Sequence, residues 1–128
     1  MSCVWLAGVT APCQGAGASN TFEEYVTTLC EEIALHRRVN EHPLQTVFFG
    51  GGTPSLIPPS QLHRILHALH DRFGIASDAE VSMEADPGTF DAARLREYLQ
   101  LGLTRFSIGV QAFDQVGAPC LRTTRAYC

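Results

Sequence analysis

The chain contains no lysine; all nine of its basic residues are arginines. That excludes a phosphate-gripping Gly-Lys-Ser/Thr loop, a Schiff-base lysine and a lysine general base. Dense basic clusters are missing too, and a net charge of −4 argues against nucleic acid as the main partner. No apolar run approaches the ~20 residues that a membrane-spanning helix needs. Charge is absent altogether from Met1 to Phe22. A secretory leader wants a basic start and an organellar transit peptide wants arginines. No clear targeting signal is therefore read, which leaves cytoplasm and organelle (mitochondrion or chloroplast) both open. The five cysteines, Cys3, Cys13, Cys30, Cys120 and Cys128, are irregularly spaced and form no Cys-x-x-Cys pair. Free thiols are expected, not a disulfide framework or a zinc ribbon.

What is present reads as one modest globular α/β unit: 45% apolar and 17% charged residues over 128 positions. Its most informative stretch is Val47-Phe48-Phe49-Gly50-Gly51-Gly52-Thr53-Pro54-Ser55. An apolar, β-prone run enters three consecutive glycines, more backbone freedom than a turn requires. Such a strand end suits a small polar ligand lying against bare backbone.

The flanking pattern alternates helix and strand. Residues 1–18, rich in Gly and Ala and without period, read as coil. Thr21-Phe22-Glu23-Glu24 forms a capping box, and Phe22, Val26, Leu29 and Ile33 recur at helical spacing to about Arg38. Arg37 and Arg38 would then suit the helix dipole. A strand over Thr46–Phe49 follows. Ser60 is the expected cap of a second helix, with Leu62, Ile65, Leu66, Leu69 and Phe73 as its stripe and Gly74 as its stop. Glu80–Ala85 alternates as a strand, Asp86-Pro87-Gly88-Thr89 turns, and Phe90, Leu95, Tyr98 and Leu99 mark a third helix closed by Gly102. Arg105–Gln111 alternates again.

Strands separated by helical crossovers imply a parallel sheet, and ligands collect at the carboxyl ends of such strands. Thr53, Glu84 and Gln111 sit at or just past three successive strand ends. His63, His67 and His70 share a helical face, but they flank the apolar stripe, so a polar surface explains them without a metal.

Three blocks then carry a resemblance. Thr46–Leu56, with its Gly50-Gly51-Gly52-Thr53-Pro54-Ser55, is similar to the glycine motif of radical S-adenosylmethionine enzymes. Val81-Ser82-Met83-Glu84-Ala85-Asp86-Pro87-Gly88-Thr89 and Arg105-Phe106-Ser107-Ile108-Gly109-Val110-Gln111-Ala112-Phe113 resemble the following blocks of one branch. That branch holds the oxygen-independent coproporphyrinogen III oxidases and their heme-chaperone relatives. The resemblance implies part of a radical S-adenosylmethionine (β/α) barrel with about three parallel strands and three helices. Residues 1–18 would be an irregular lead-in, 19–113 the partial core and 114–128 a divergent tail. It also implies S-adenosylmethionine as cofactor: Gly51, Gly52 and Thr53 at its amino-acid end, Glu84 on its methionine or ribose portion, Gln111 as a further polar contact. Heme or a porphyrinogen would be the further small-molecule partner.

The same resemblance implies a Cys-x-x-x-Cys-x-x-Cys loop after a first strand, whose thiolates bind three irons of a [4Fe–4S] cluster. No such triplet occurs in this sequence, and no first strand is evident. The family's helix after Phe113 is also missing, since Gly117 and Pro119 oppose one. The expectation is a truncated member of the family, in porphyrin or heme metabolism, that keeps part of the cofactor cradle without its cluster and is inactive alone. Two alternatives stay open: a non-catalytic module binding S-adenosylmethionine or heme, and a non-functional splice product. An open three-stranded sheet with unpaired edges is expected to be of low stability.

Overall fold

A computed structural model describes residues 3–9, 18–37 and 42–109, with side chains described over 22–37 and 42–109. Four strands form one parallel sheet in the order β1-β2-β3-β4: β1 (Cys3–Val9), β2 (Leu44–Gly52), β3 (Ile75–Ala85) and β4 (Arg105–Ile108). Helices α1 (Ala18–Leu35), α2 (Pro59–Phe73) and α3 (Ala92–Gln100) make the crossovers, and a short 3₁₀ turn covers Pro54–Leu56.

The three strands read from the sequence are thus joined by a fourth. β1 occupies part of the segment expected to be coil, and α1 takes its last residue. A strand in a parallel sheet need not alternate, and Cys-Val-Trp-Leu-Ala-Gly-Val carries neither alternation nor charge. Its Trp5 pairs in register with Phe48 and its Val9 with Gly52.

One hydrophobic cluster takes in residues from all three helices: Val26 and Ile33 of α1, Leu62, Ile65, Leu66 and Leu69 of α2, and Tyr98 of α3. They pack against Val47, Phe49, Val81 and Met83 of the sheet. Shared contact of every helix with these alternate strand positions places all the helices on one face of the sheet, as right-handed crossovers between sequential neighbours require. The other face carries polar residues beside Phe48. Thr46 pairs with Glu80, Ser82 with Arg105 and Glu84 with Ser107 across the ladders, and Arg105 reaches Glu80 at 3.4 Å.

Helix ends differ from the local signals. α1 starts at Ala18, so Thr21 lies within the helix rather than at its cap; it ends at Leu35, leaving Arg37 past the last turn. Ser60 is not the cap of α2. Pro58 holds that position and Pro59 the first helical one, where the ring's fixed φ favours the helix and no amide is lost. Gly74 closes α2 with a φ of 74°, its N–H donating to the His70 carbonyl at 2.8 Å. α3 starts later than Phe90: Asp91 caps it, its carboxylate accepting the Arg94 N–H at 2.8 Å. That bond holds the Asp91 carboxyl below its ordinary range.

Candidate functional site at the strand ends

β2 and β3 stay in register as far as Phe49 and Met83. Beyond that pair main-chain hydrogen bonding between the two strands gives way to side chains. The Gly51 N–H donates to Oε2 of Glu84 at 3.2 Å. Gly51 and Gly52 have φ of 83° and 58°, in the left-handed region where a Cβ is penalised. The preceding Gly50 is required for a different reason: a Cβ there would stand 2.4 Å from Cε1 of the Phe48 ring.

The chain then turns through Thr53 into the 3₁₀ turn, where the Leu56 N–H donates to the Thr53 carbonyl at 3.1 Å. The Thr53 hydroxyl donates to Oδ2 of Asp86 at 3.2 Å. Asp86 itself is fixed by a closed ring of three hydrogen bonds. Its N–H donates to Oγ of Ser55 at 3.2 Å, and its carbonyl accepts the Thr89 hydroxyl at 2.7 Å. With the Thr89 proton so committed, the Ser55 hydroxyl donates to Thr89, 2.5 Å away. Each hydroxyl in the ring is both donor and acceptor, an arrangement that strengthens its members.

Tyr98 anchors this loop from below. Its ring is fully buried, and its hydroxyl lies 2.7 Å from the Ile57 carbonyl and 3.0 Å from that of Ser55. Burial pushes the phenol above its ordinary pKa, opposed by Arg94 and aided by Glu97, so it remains a donor.

These contacts frame a pocket of about 280 Å³ lined by Gly52 at the end of β2 with Thr53 and Pro54 just beyond it, Glu84 to Asp86 at the end of β3, and Ser107 to Gly109 at the end of β4. Among the described residues its two carboxylates face no cationic lining residue, so the pocket favours a cationic guest. At just under the ~300 Å³ of small-molecule sites, it suits one end of an extended ligand. A larger groove of about 620 Å³ between α1 and α2 shares none of these residues. Its arginines are already engaged: Arg64 with Glu23, Thr27 and Gln61, Arg72 with the His36 carbonyl. Cys30 there donates to the Arg64 carbonyl, and burial raises its pKa against the opposing influence of Arg64. His63 and His67 line the same groove, His67 beside Asp71 at 3.0 Å. Among the described residues no group of three or more His, Cys, Asp or Glu could hold a metal ion.

A family model for the radical SAM superfamily matches residues 12–127. The chain belongs to the radical SAM superfamily. Over 103 residues the chain is 55% identical to the heme chaperone HemW of Synechocystis sp., covering 80% of this chain and 25% of that protein. It is 38% identical over 104 residues to the oxygen-independent coproporphyrinogen III oxidase of Cereibacter sphaeroides, covering 79% and 23%. Its fold is similar to that of coproporphyrinogen III oxidase (HemN) from Escherichia coli, a radical SAM enzyme, with a TM-score of 0.72 at 24% identity, over 89% of this chain and 29% of that one. The chain thus spans about a quarter of the length of the curated relatives it matches.

Of the radical SAM site residues expected from the sequence, Gly51, Gly52, Thr53 and Glu84 come together at one end of the sheet. Gln111 lies outside the described residues. Asp86, Ser107 and Gly109 line the pocket as well, and sequence reasoning did not single them out. The alternation from Glu84 to Asp86 was the available signal, masked because Asp-Pro-Gly also reads as a turn. The superfamily is named for S-adenosylmethionine and works with a [4Fe–4S] cluster. The pocket fits the first: the sulfonium and ammonium of the cofactor suit its negative charge, and Gly52 offers backbone without a side chain. It does not fit the second. No cysteine among the described residues lines it, and the sequence holds no Cys-x-x-x-Cys-x-x-Cys.

Proposed function

We propose that this chain is the S-adenosylmethionine-cradling part of a protein of porphyrin or heme metabolism, of the HemW and coproporphyrinogen-oxidase kind. The observation that carries this reading is the acceptor-rich pocket at the ends of three adjacent parallel strands, lined among the described residues by no arginine. Gly51, Gly52 and Thr53 would receive the amino-acid end of the cofactor, and Glu84 its methionine or ribose portion. Gln111 joins them on the sequence resemblance alone. The cofactor would supply radical chemistry only beside a reducing cluster, for which this sequence has no Cys-x-x-x-Cys-x-x-Cys; this chain's residues would bind and orient it. Heme or a porphyrinogen is the further small-molecule partner of the whole protein. Nucleic acid is not a partner, and the protein works in the cytoplasm or an organelle. Among the described residues no helix is long and apolar enough to cross a membrane.

Isothermal titration of the chain with S-adenosylmethionine tests the reading. Saturable binding is expected, weakened at least ~10-fold in Glu84→Ala, equivalent to about 1.4 kcal/mol. Absence of binding, or binding indifferent to Glu84→Ala, refutes it.

A further inference from the structure

Thr53 is the one hydroxyl among the residues assigned above to the cofactor, and a hydroxyl can face a ligand as donor or as acceptor. It has one proton and two lone pairs. A carboxylate is acceptor-only, so the 3.2 Å contact with Asp86 Oδ2 commits the Thr53 proton to Asp86. What Thr53 then presents to the pocket is lone pairs. Beside it stand the carboxylate of Glu84 and the backbone of Gly52, and among the described residues no cationic side chain lines the pocket. A guest group that meets the Thr53 hydroxyl must therefore bring its own proton.

We propose that Asp86 is a positioning residue that fixes Thr53 as a hydrogen-bond acceptor and so selects a protonated amine at the end of β2. The proposal rests on the S-adenosylmethionine reading above and adds to it a residue that acts through another. The scaffold suits the role. Asp86 is clamped through its own main chain, N–H to Ser55 and carbonyl to Thr89, so its carboxylate is aimed without depending on the ligand. Thr53 is held through its carbonyl by the Leu56 amide. Because the clamps on Asp86 are main-chain bonds, replacing its side chain leaves them in place.

The test is a double-mutant cycle on the 128-residue chain, read by isothermal titration with S-adenosylmethionine and with its desamino analogue. Such a cycle isolates coupling between residues in contact. Asp86→Ala and Thr53→Val are each expected to weaken S-adenosylmethionine binding about 10-fold, with the double variant no weaker than either single one. The desamino analogue, which has no amine to offer, should bind all four chains alike. Asp86→Asn keeps a carbonyl acceptor for Thr53 and should restore most of the affinity lost in Asp86→Ala. Additive losses would show that Asp86 touches the ligand independently and overturn the proposal. Equal losses for the desamino analogue would do the same, as would Asp86→Asn no better than Asp86→Ala. If the unsubstituted chain binds no S-adenosylmethionine, the functional reading itself fails, an outcome visible before any variant is made.

Discussion

Removing one oxygen atom, in Tyr98→Phe, should loosen the loop that carries the site. The Tyr98 hydroxyl is the donor for both the Ile57 and Ser55 carbonyls, at 2.7 and 3.0 Å. It has a single proton, so the shorter bond takes most of it. Phenylalanine keeps the ring and its 6.1 Å contact with Phe106, so little apolar burial is lost. What remains is a buried carbonyl pair without its donor, a desolvation penalty of about 1–3 kcal/mol. At roughly 4 °C of melting temperature per kcal/mol for a chain of this size, the loss is about 4–12 °C. Tyr98→Ala adds a cavity and should cost about 3–5 kcal/mol. Thermal unfolding followed by far-ultraviolet circular dichroism measures both. If Tyr98→Phe melts within about 0.5 kcal/mol of the parent, as harmless surface changes do, the two carbonyls have other partners and the anchoring argument is wrong.

Gly50→Ala would drive a methyl into the Phe48 ring at 2.4 Å. The obstacle is a half-buried side chain rather than backbone, so a loss near the lower end of ~1–3 kcal/mol is expected in urea titration; full stability would show that the ring is not fixed there. The Asp91 carboxyl is held below its ordinary pKa by the Arg94 amide. Its contribution to stability is present above its unfolded pKa of about 3.9 and is lost as pH falls through the lower folded value. Asp91→Asn should flatten that part of the acid-unfolding profile, and an unchanged profile would count against the cap. Cys30, its thiol raised by burial, should be alkylated by iodoacetamide at pH 8 more slowly than a free cysteine peptide, as peptide mapping by mass spectrometry would show. Anaerobic iron–sulfur reconstitution of the chain should give no S-adenosylmethionine cleavage; product 5′-deoxyadenosine by chromatography would contradict the cradle-only reading.

Much of the site was legible because its chemistry coincides with local pattern. Three glycines after an apolar run announce a strand end, and Glu84 falls on the polar side of a clean alternation. Asp86 was harder to see, since Asp-Pro-Gly-Thr satisfies a turn and a ligand pocket with the same letters. β1 was hidden because a parallel strand can be recognised by its neighbours rather than by its own period. The cap signals at Thr21 and Ser60 were sound locally but were overruled: helical backbone begins earlier in one case, and two prolines set the start in the other. The Ser55–Asp86–Thr89 ring has no sequence signature, for its members become neighbours only when β3 settles beside β2.

Every strand of this sheet lies next to its predecessor in the chain. The contacts that build the pocket therefore each span a single crossover: a turn after one strand meets the end of the next, 31 to 34 residues along the chain. The entropic cost of closing such a loop grows only with the logarithm of its length. Glu84, Asp86 and Thr53 can be brought together as soon as the β2–α2–β3 unit closes, before β4 adds the far wall. A cradle assembled this way can be lengthened by further units on the β4 edge without rearranging what already stands.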